Sequence, residues 1–126
     1  MSEFEDFMRI LSEGGIDTAV RMECCADMED IYADVVQTYY EEDNSQDLID
    51  ALEKGDASLY ATYAHGIKSA SKSIGAMDFA DLAYELELAG KDGDMNKIQS
   101  EHERFLAEYK KVQEVLKKAL ATVELE

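Results

Sequence analysis

The sequence predicts an all-α protein. None of its 126 residues is proline, and 46 % of them are apolar. The good helix formers Ala, Leu, Glu, Lys and Met are abundant, and the absence of proline leaves long segments free to be helical. A chain of this length forms one domain. We therefore expect a single domain over residues 1–126, with short helices over about 1–26 and a helical bundle over about 27–122.

The charge excludes several classes of partner. With a formal net charge of −17, the surface lacks the clustered Lys and Arg that bind nucleic acids or anionic membranes. No apolar run reaches the length of a membrane span, and the first residues are acidic where a signal peptide is basic. We expect a cytoplasmic monomer. Cys24 and Cys25 are adjacent, and we interpret them as packing residues, not as a disulfide or metal ligands.

Two short helices are predicted at the start of the chain. Ser2 and Glu5 form a capping box for the first, which ends at a pair of glycines. Its apolar stripe consists of Phe4, Phe7, Met8 and Leu11. Asp17 caps the second, which extends to about Cys25. We expect the first helix to lie across the bundle.

The bundle helices follow from turn residues and helical periodicity. Asp27 caps a helix with the apolar stripe Met28, Ile31, Val35 and Tyr39. The next helix carries Leu48, Ile49 and Leu52. Another begins at Asp78, and its buried face is Phe79, Leu82, Ala83, Leu86 and Ala89. Asp94 caps the last, whose apolar register is Ile98, His102, Phe105, Tyr109, Val112, Leu116 and Ala119. That register predicts a packed histidine at His102, not a ligand.

The helix between Asp56 and Gly75 carries the candidate site. Its predicted buried stripe is Tyr60, Tyr63, Ile67, Ala70 and Ile74. At 100° per residue, His65 points roughly 170° away from that stripe, so it should be exposed. Lys68 lies on the same side, and so does Lys72, which is the weaker candidate. The neighbours of His65 are small and should let a large partner reach the ring: Ser58, Ala61, Thr62, Ala64, Gly66 and Ser69.

The surroundings of His65 are also free of acidic residues in the sequence. The 29 acidic residues would place about five in the window 57–77 if evenly spread, yet the window holds none. A neutral imidazole is a competent phosphoryl acceptor, and two nearby ammonium groups would offset the charge that a phosphoryl group brings. The pattern therefore predicts phosphoryl transfer to His65, with Lys68 supporting the charge. No nucleotide-binding loop is visible, so we expect no intrinsic kinase activity.

Three motifs resemble the signature of bacterial-type histidine phosphotransfer domains: Ala64-His65-Gly66-Ile67-Lys68-Ser69, Ile74-Gly75-Ala76 and Leu86-Glu87-Leu88-Ala89-Gly90. The resemblance extends from about Ile16 to Leu120. It implies an antiparallel four-helix bundle with short accessory N-terminal helices. It also implies that His65 is phosphorylated and that Lys68 supports the phosphoryl group. Ala61, Ala64, Ser69, Lys72 and Gly75 are further candidates for partner binding or support, because they lie around or near the predicted exposed face of His65.

The implied partners are a receiver domain of a response regulator and a sensor or hybrid histidine kinase. No cofactor or metal site is expected in this chain, and the Mg²⁺ of the reaction is expected on the receiver. One departure is Ser69, because the family usually has glycine there. If its hydroxyl crowds the partner, transfer could be slower or more selective. The alternative function is a helical adaptor that binds receiver domains without phosphoryl transfer.

Overall fold

The computed structural model of the chain describes residues 4–123, and within them it contains helices and no strand. A 3-10 helix at Thr18–Val20 lies between the first two of seven α-helices. The α-helices are α1 Glu5–Glu13, α2 Arg21–Cys24, α3 Glu29–Glu41, α4 Ser45–Glu53, α5 Ala57–Ile74, α6 Met77–Lys91 and α7 Met95–Leu120. Ser2, the predicted cap of α1, lies outside the described residues. Among the described helices none is both long enough and apolar enough to cross a membrane.

The helices pack as a bundle around one core, which confirms the predicted all-α class. A two-residue turn joins α5 and α6 into an antiparallel hairpin, the most extensively packed pair of the fold. α7 packs on α6, while α3 and α4 contact both α5 and α7. α1 packs against α7 and buries Phe7 and Leu11 completely. The short first helix is therefore part of the core.

Acidic side chains cap three of the elements, and the caps at Asp17 and Asp94 are the ones that the sequence predicts. The carboxylates of Asp17, Asp56 and Asp94 each accept a hydrogen bond from a backbone N–H two or three residues later. The prediction that Asp27 caps α3 is wrong. Asp27 adopts a positive φ of 60°, and its carboxylate pairs with Arg21 at 2.8 Å. The residue before α3 is Met28, whose side chain makes no capping bond.

The buried face of α3 differs from the predicted stripe. Met28 and Ile31 are exposed by 47 % and 40 %. The buried residues are Tyr32, Ala33, Val36 and Tyr39. Tyr32 can be buried because its hydroxyl donates a hydrogen bond to the carbonyl of Ile74 at 2.7 Å. An apolar-residue pattern overlooks a tyrosine whose hydroxyl finds such a partner.

The buried face of α5 is also rotated from the predicted one, by roughly 60°, which is about half a residue step. Its members are Tyr60, Ala61, Ala64, Ile67, Ser71 and Ile74. Tyr63 is only half-buried and Ala70 is exposed, so the prediction for these two is wrong. Ser71 is buried because its hydroxyl is hydrogen-bonded to the hydroxyl of Tyr39 at 2.9 Å. The rotation is small enough to leave the opposite face of α5 in solvent.

The predicted faces of α6 and α7 are confirmed. All five predicted residues of α6 are buried, and so are the predicted residues of α7 except Val112, which is half-buried. α6 begins one residue before Asp78, which lies in its first turn and does not cap it. His102 is packed in the core, where its Nδ1 is hydrogen-bonded to the hydroxyl of Tyr60 at 2.8 Å. This confirms the interpretation of His102 as a packed histidine.

The two cysteines differ from their interpretation as packing residues. The structure joins the neighbours Cys24 and Cys25 by a disulfide bond. Cys25 is buried, as a packing residue would be, but Cys24 is exposed. Cysteine spacing along a chain indicates disulfides that close long loops or sites that bind metals, and a bond between adjacent residues does neither.

Candidate functional site

His65 occupies the middle of α5 and projects into solvent. The helix runs without a break from its cap at Asp56 to Gly75, whose left-handed conformation ends it. The side chain of His65 is 59 % exposed, as the predicted rotation requires. A partner can therefore reach the imidazole from outside the bundle.

A buried carboxylate from the neighbouring helix holds the imidazole. The side chain of Glu87, on α6, is 1 % exposed, and its Oε2 lies 3.0 Å from Nδ1 of His65. Two lysines contact the same carboxylate, each at 2.8 Å: Lys68 at Oε1 and Lys91 at Oε2. Side chains of α5 and α6 thus form one cluster of a carboxylate, an imidazole and two ammonium groups.

The cluster keeps Glu87 ionised. Burial acts to raise the pKa of its carboxyl, but the close contacts with Lys68 and Lys91 and the hydrogen bond from His65 together outweigh burial and lower the pKa to about 2. An ionised carboxylate only accepts hydrogen bonds, so Nδ1 of His65 donates one and carries the hydrogen. In the neutral form of the ring, the other nitrogen, Nε2, is then the one that carries the lone pair.

The side chains of the two lysines differ in exposure and in how tightly their contacts hold them. The side chain of Lys68 is 15 % exposed, and its ammonium also lies over the ring of Tyr84, 4.9 Å from the centroid. The side chain of Lys91 is 61 % exposed. Lys68 is therefore held between a carboxylate and an aromatic face, whereas Lys91 pairs with the carboxylate from a more exposed position.

An open cavity of about 490 Å³ lies beside the imidazole, between α5 and α6. Its lining residues are Ser58, Ala61, Thr62, His65, Glu87, Gly90 and Lys91. Gly90 lets the helices approach closely, because a Cβ at this position would lie 2.6 Å from the carbonyl oxygen of Ala57. Gly66 differs, since a Cβ there would meet no atom within 4 Å. The backbone next to His65 is bare on its solvent side.

An exposed imidazole held by a buried carboxylate between two helices suits a histidine that exchanges a group with a partner. In agreement with that geometry, a family model of the Hpt domain matches residues 23–124. The chain belongs to the Hpt domain family. Hpt domains are phosphocarrier modules and not enzymes, and they interact with receiver domains and histidine kinases in phosphorelays. Neither a comparison with curated proteins nor one with solved structures gives a match.

The five residues predicted to bind a partner or support the site lie in different environments of the Hpt domain. Ala61 is nearly buried but lines the cavity, and Ser69 is exposed. Ala64 is completely buried, so it packs α5 and offers no surface to a partner. Lys72 lies beside Cys24 in another shallow pocket, away from the carboxylate cluster. Gly75 is buried as well, with a φ of 93°, and its carbonyl accepts a bond from the N–H of Asp17. It shapes the turn and anchors the N-terminal segment.

Two residues of the cluster were missed by the sequence reasoning. The absence of acidic residues around His65 along the chain suggested a site without carboxylates, and the fold corrects this by bringing in Glu87 from α6. One signal was available, because Glu87 follows Ala83 by four residues and precedes Gly90 by three, which places it beside the buried face. Lys91, four residues after Glu87, has the spacing of a helical ion pair.

Proposed function

We propose that this Hpt domain carries a phosphoryl group on Nε2 of His65 and exchanges it with the aspartate of a receiver domain. A sensor or hybrid histidine kinase is the proposed source of the phosphoryl group. The proposal rests mainly on one observation: an exposed imidazole donates from Nδ1 to a buried, ionised Glu87. This bond orients the ring and leaves the lone pair of Nε2 free to attack.

The proposed transfer needs no proton to leave the domain. The Nε2 lone pair attacks the phosphorus in line, a nitrogen–phosphorus bond forms, and the bond from phosphorus to the aspartyl oxygen breaks. The aspartate departs as a carboxylate, while the ring gains positive charge. Glu87, which accepts the hydrogen bond from Nδ1, stabilises that charge. In the reverse direction the ring leaves as neutral imidazole.

The remaining requirements are charge neutralisation and access. Lys68 supplies a fixed ammonium group in the same cluster. The Mg²⁺ that phosphoryl transfer uses is proposed to be bound by the receiver. Access to the ring is provided by the exposure of His65 and the bare backbone at Gly66.

Transfer from a labelled, phosphorylated receiver domain tests the proposal. Wild-type protein and His65→Gln are incubated with the donor, and the label is then tested for acid lability, since phosphohistidine is labile in acid and phosphoserine is stable. The expected result is acid-labile label on the wild type and none on His65→Gln. Because His65 is exposed, the variant should keep its helical circular dichroism spectrum.

Binding of the receiver to both proteins separates the carrier from the adaptor. If a panel of phosphorylated receivers labels neither protein while both still bind receivers, the domain is an adaptor and the carrier proposal is wrong. Acid-stable label that persists in His65→Gln would also contradict it, and would direct attention to hydroxyl residues such as Ser69.

A further inference from the structure

Lys91 is the cation of the cluster that comes from α6 and lies outside the sequence segment around His65. Its Nζ and Nδ1 of His65 contact the same carboxylate oxygen, Oε2 of Glu87, at 2.8 and 3.0 Å. Lys68 contacts the other carboxylate oxygen, Oε1. The lysine ammonium and the imidazole are therefore immediate neighbours, and Lys91 also lines the cavity beside the ring.

An ordinary ion pair on a helix surface does not account for this arrangement. A glutamate followed four residues later by a lysine is a common exposed pair that contributes little. Here the carboxylate is buried, and Lys68 already neutralises its single charge. With both lysines bound, the site holds one positive charge more than Glu87 requires. The additional charge lies where a phosphoryl group on His65 would add between one and two negative charges.

We propose that Lys91 is a second phosphoryl-supporting residue, which moves from Glu87 to the phosphoryl group when His65 is phosphorylated. Its exposure leaves the side chain free to turn, while Lys68, held by Glu87 and Tyr84, keeps the carboxylate paired. In the unphosphorylated state, the ion pair with Glu87 holds the ammonium group of Lys91 next to the imidazole. This inference rests on the proposed function and adds a residue to its site.

Variants of Lys91 test the inference by the equilibrium of transfer. Lys91→Gln is expected to lower the equilibrium constant for transfer from receiver to Hpt domain about fivefold, the effect of one partly exposed charge contact. Lys91→Arg keeps the charge and should restore most of the loss. The matched control is Lys111→Gln, which removes a lysine paired with Glu108 at 3.1 Å on α7, a helix that carries no residue of the cluster. It should behave as the wild type.

A second readout responds to the charge contact itself. Each protein is phosphorylated with phosphoramidate, a small chemical donor, and the phosphorus NMR signal missing from His65→Gln identifies the phosphoryl group on His65. The second pKa of that group should be higher in Lys91→Gln than in the wild type, because a nearby ammonium favours the dianion. A merely structural lysine would leave this pKa unchanged.

The outcomes separate the inference from the proposed function. A labelled wild type, with Lys91→Gln equal to Lys111→Gln in both measurements, overturns the role of Lys91 and leaves the carrier function standing. A wild type that takes no label on His65 from receivers overturns the carrier function, and the role of Lys91 falls with it. A loss in Lys91→Gln that arginine does not restore also counts against a charge contact.

Discussion

Replacing Gly66 with alanine is expected to stabilise the protein while it slows phosphoryl transfer. Gly66 lies in the interior of α5, where glycine costs about 1 kcal/mol relative to alanine. A Cβ at this position meets no atom within 4 Å, so no clash offsets the gain. The free energy of unfolding should rise by about 1 kcal/mol and Tm by about 4 °C.

Urea and thermal unfolding, followed by circular dichroism, measure the change, and Gly90→Ala is the matched control. Gly90 is also a helical glycine, but its Cβ would lie 2.6 Å from the carbonyl oxygen of Ala57 and 2.7 Å from Cβ of Ala61. The same substitution should therefore lower stability by about 1–3 kcal/mol, because α5 and α6 must separate. The opposite signs distinguish a glycine that the fold requires from one that it does not.

The functional part of the prediction uses larger side chains. If a receiver approaches the bare backbone beside His65, Gly66→Leu should slow transfer about 10-fold, which corresponds to a clash of about 1.4 kcal/mol. Gly66→Ala should have a smaller effect. Rapid-quench measurement of the transfer rate decides between the outcomes. A destabilised Gly66→Ala, or a Gly66→Leu variant that transfers at the wild-type rate, would refute the reasoning.

Glu87 and His102 give further tests. Glu87→Gln keeps an acceptor for Nδ1 of His65 but loses the charge, so rapid-quench assays should show transfer about 10-fold slower; an unchanged rate contradicts the role of that charge. Because the folded pKa of Glu87 is lowered, its contribution to stability is complete above about pH 4.5 and is lost as the pH falls towards 2. Urea unfolding over that range should show a smaller loss for Glu87→Gln. Burial lowers the pKa of His102, so unfolding free energies should fall as the pH drops below about 6.5, and less so in His102→Gln. Equal slopes for variant and wild type would contradict either linkage.

The helical class and most helix boundaries could be predicted because they depend on short-range signals. Side-chain caps at Asp17, Asp56 and Asp94 act over two or three residues, and the left-handed turn at Gly75 is a local preference of glycine. The cap predicted at Asp27 failed because Arg21, a residue of another element, takes the carboxylate.

The buried faces were harder to predict where polar side chains enter the core. Tyr32 and Ser71 are buried because each finds a hydrogen-bond partner on another helix. A pattern of apolar residues contains no information on such partners. It therefore located the faces of α6 and α7, where apolar residues make up most of the buried set, and misplaced those of α3 and α5.

The sequence by itself determined that His65 lies on an exposed helical face with Lys68 one turn away, because helical geometry sets the relation of residues three or four positions apart. Only the tertiary structure decided what the imidazole contacts. Glu87 is 22 residues from His65, and the close packing of α5 on α6 brings its carboxylate to Nδ1. Burial in that interface and the two lysines then fix its ionised state. Such contacts arise from the packing of separate helices, which no local pattern encodes.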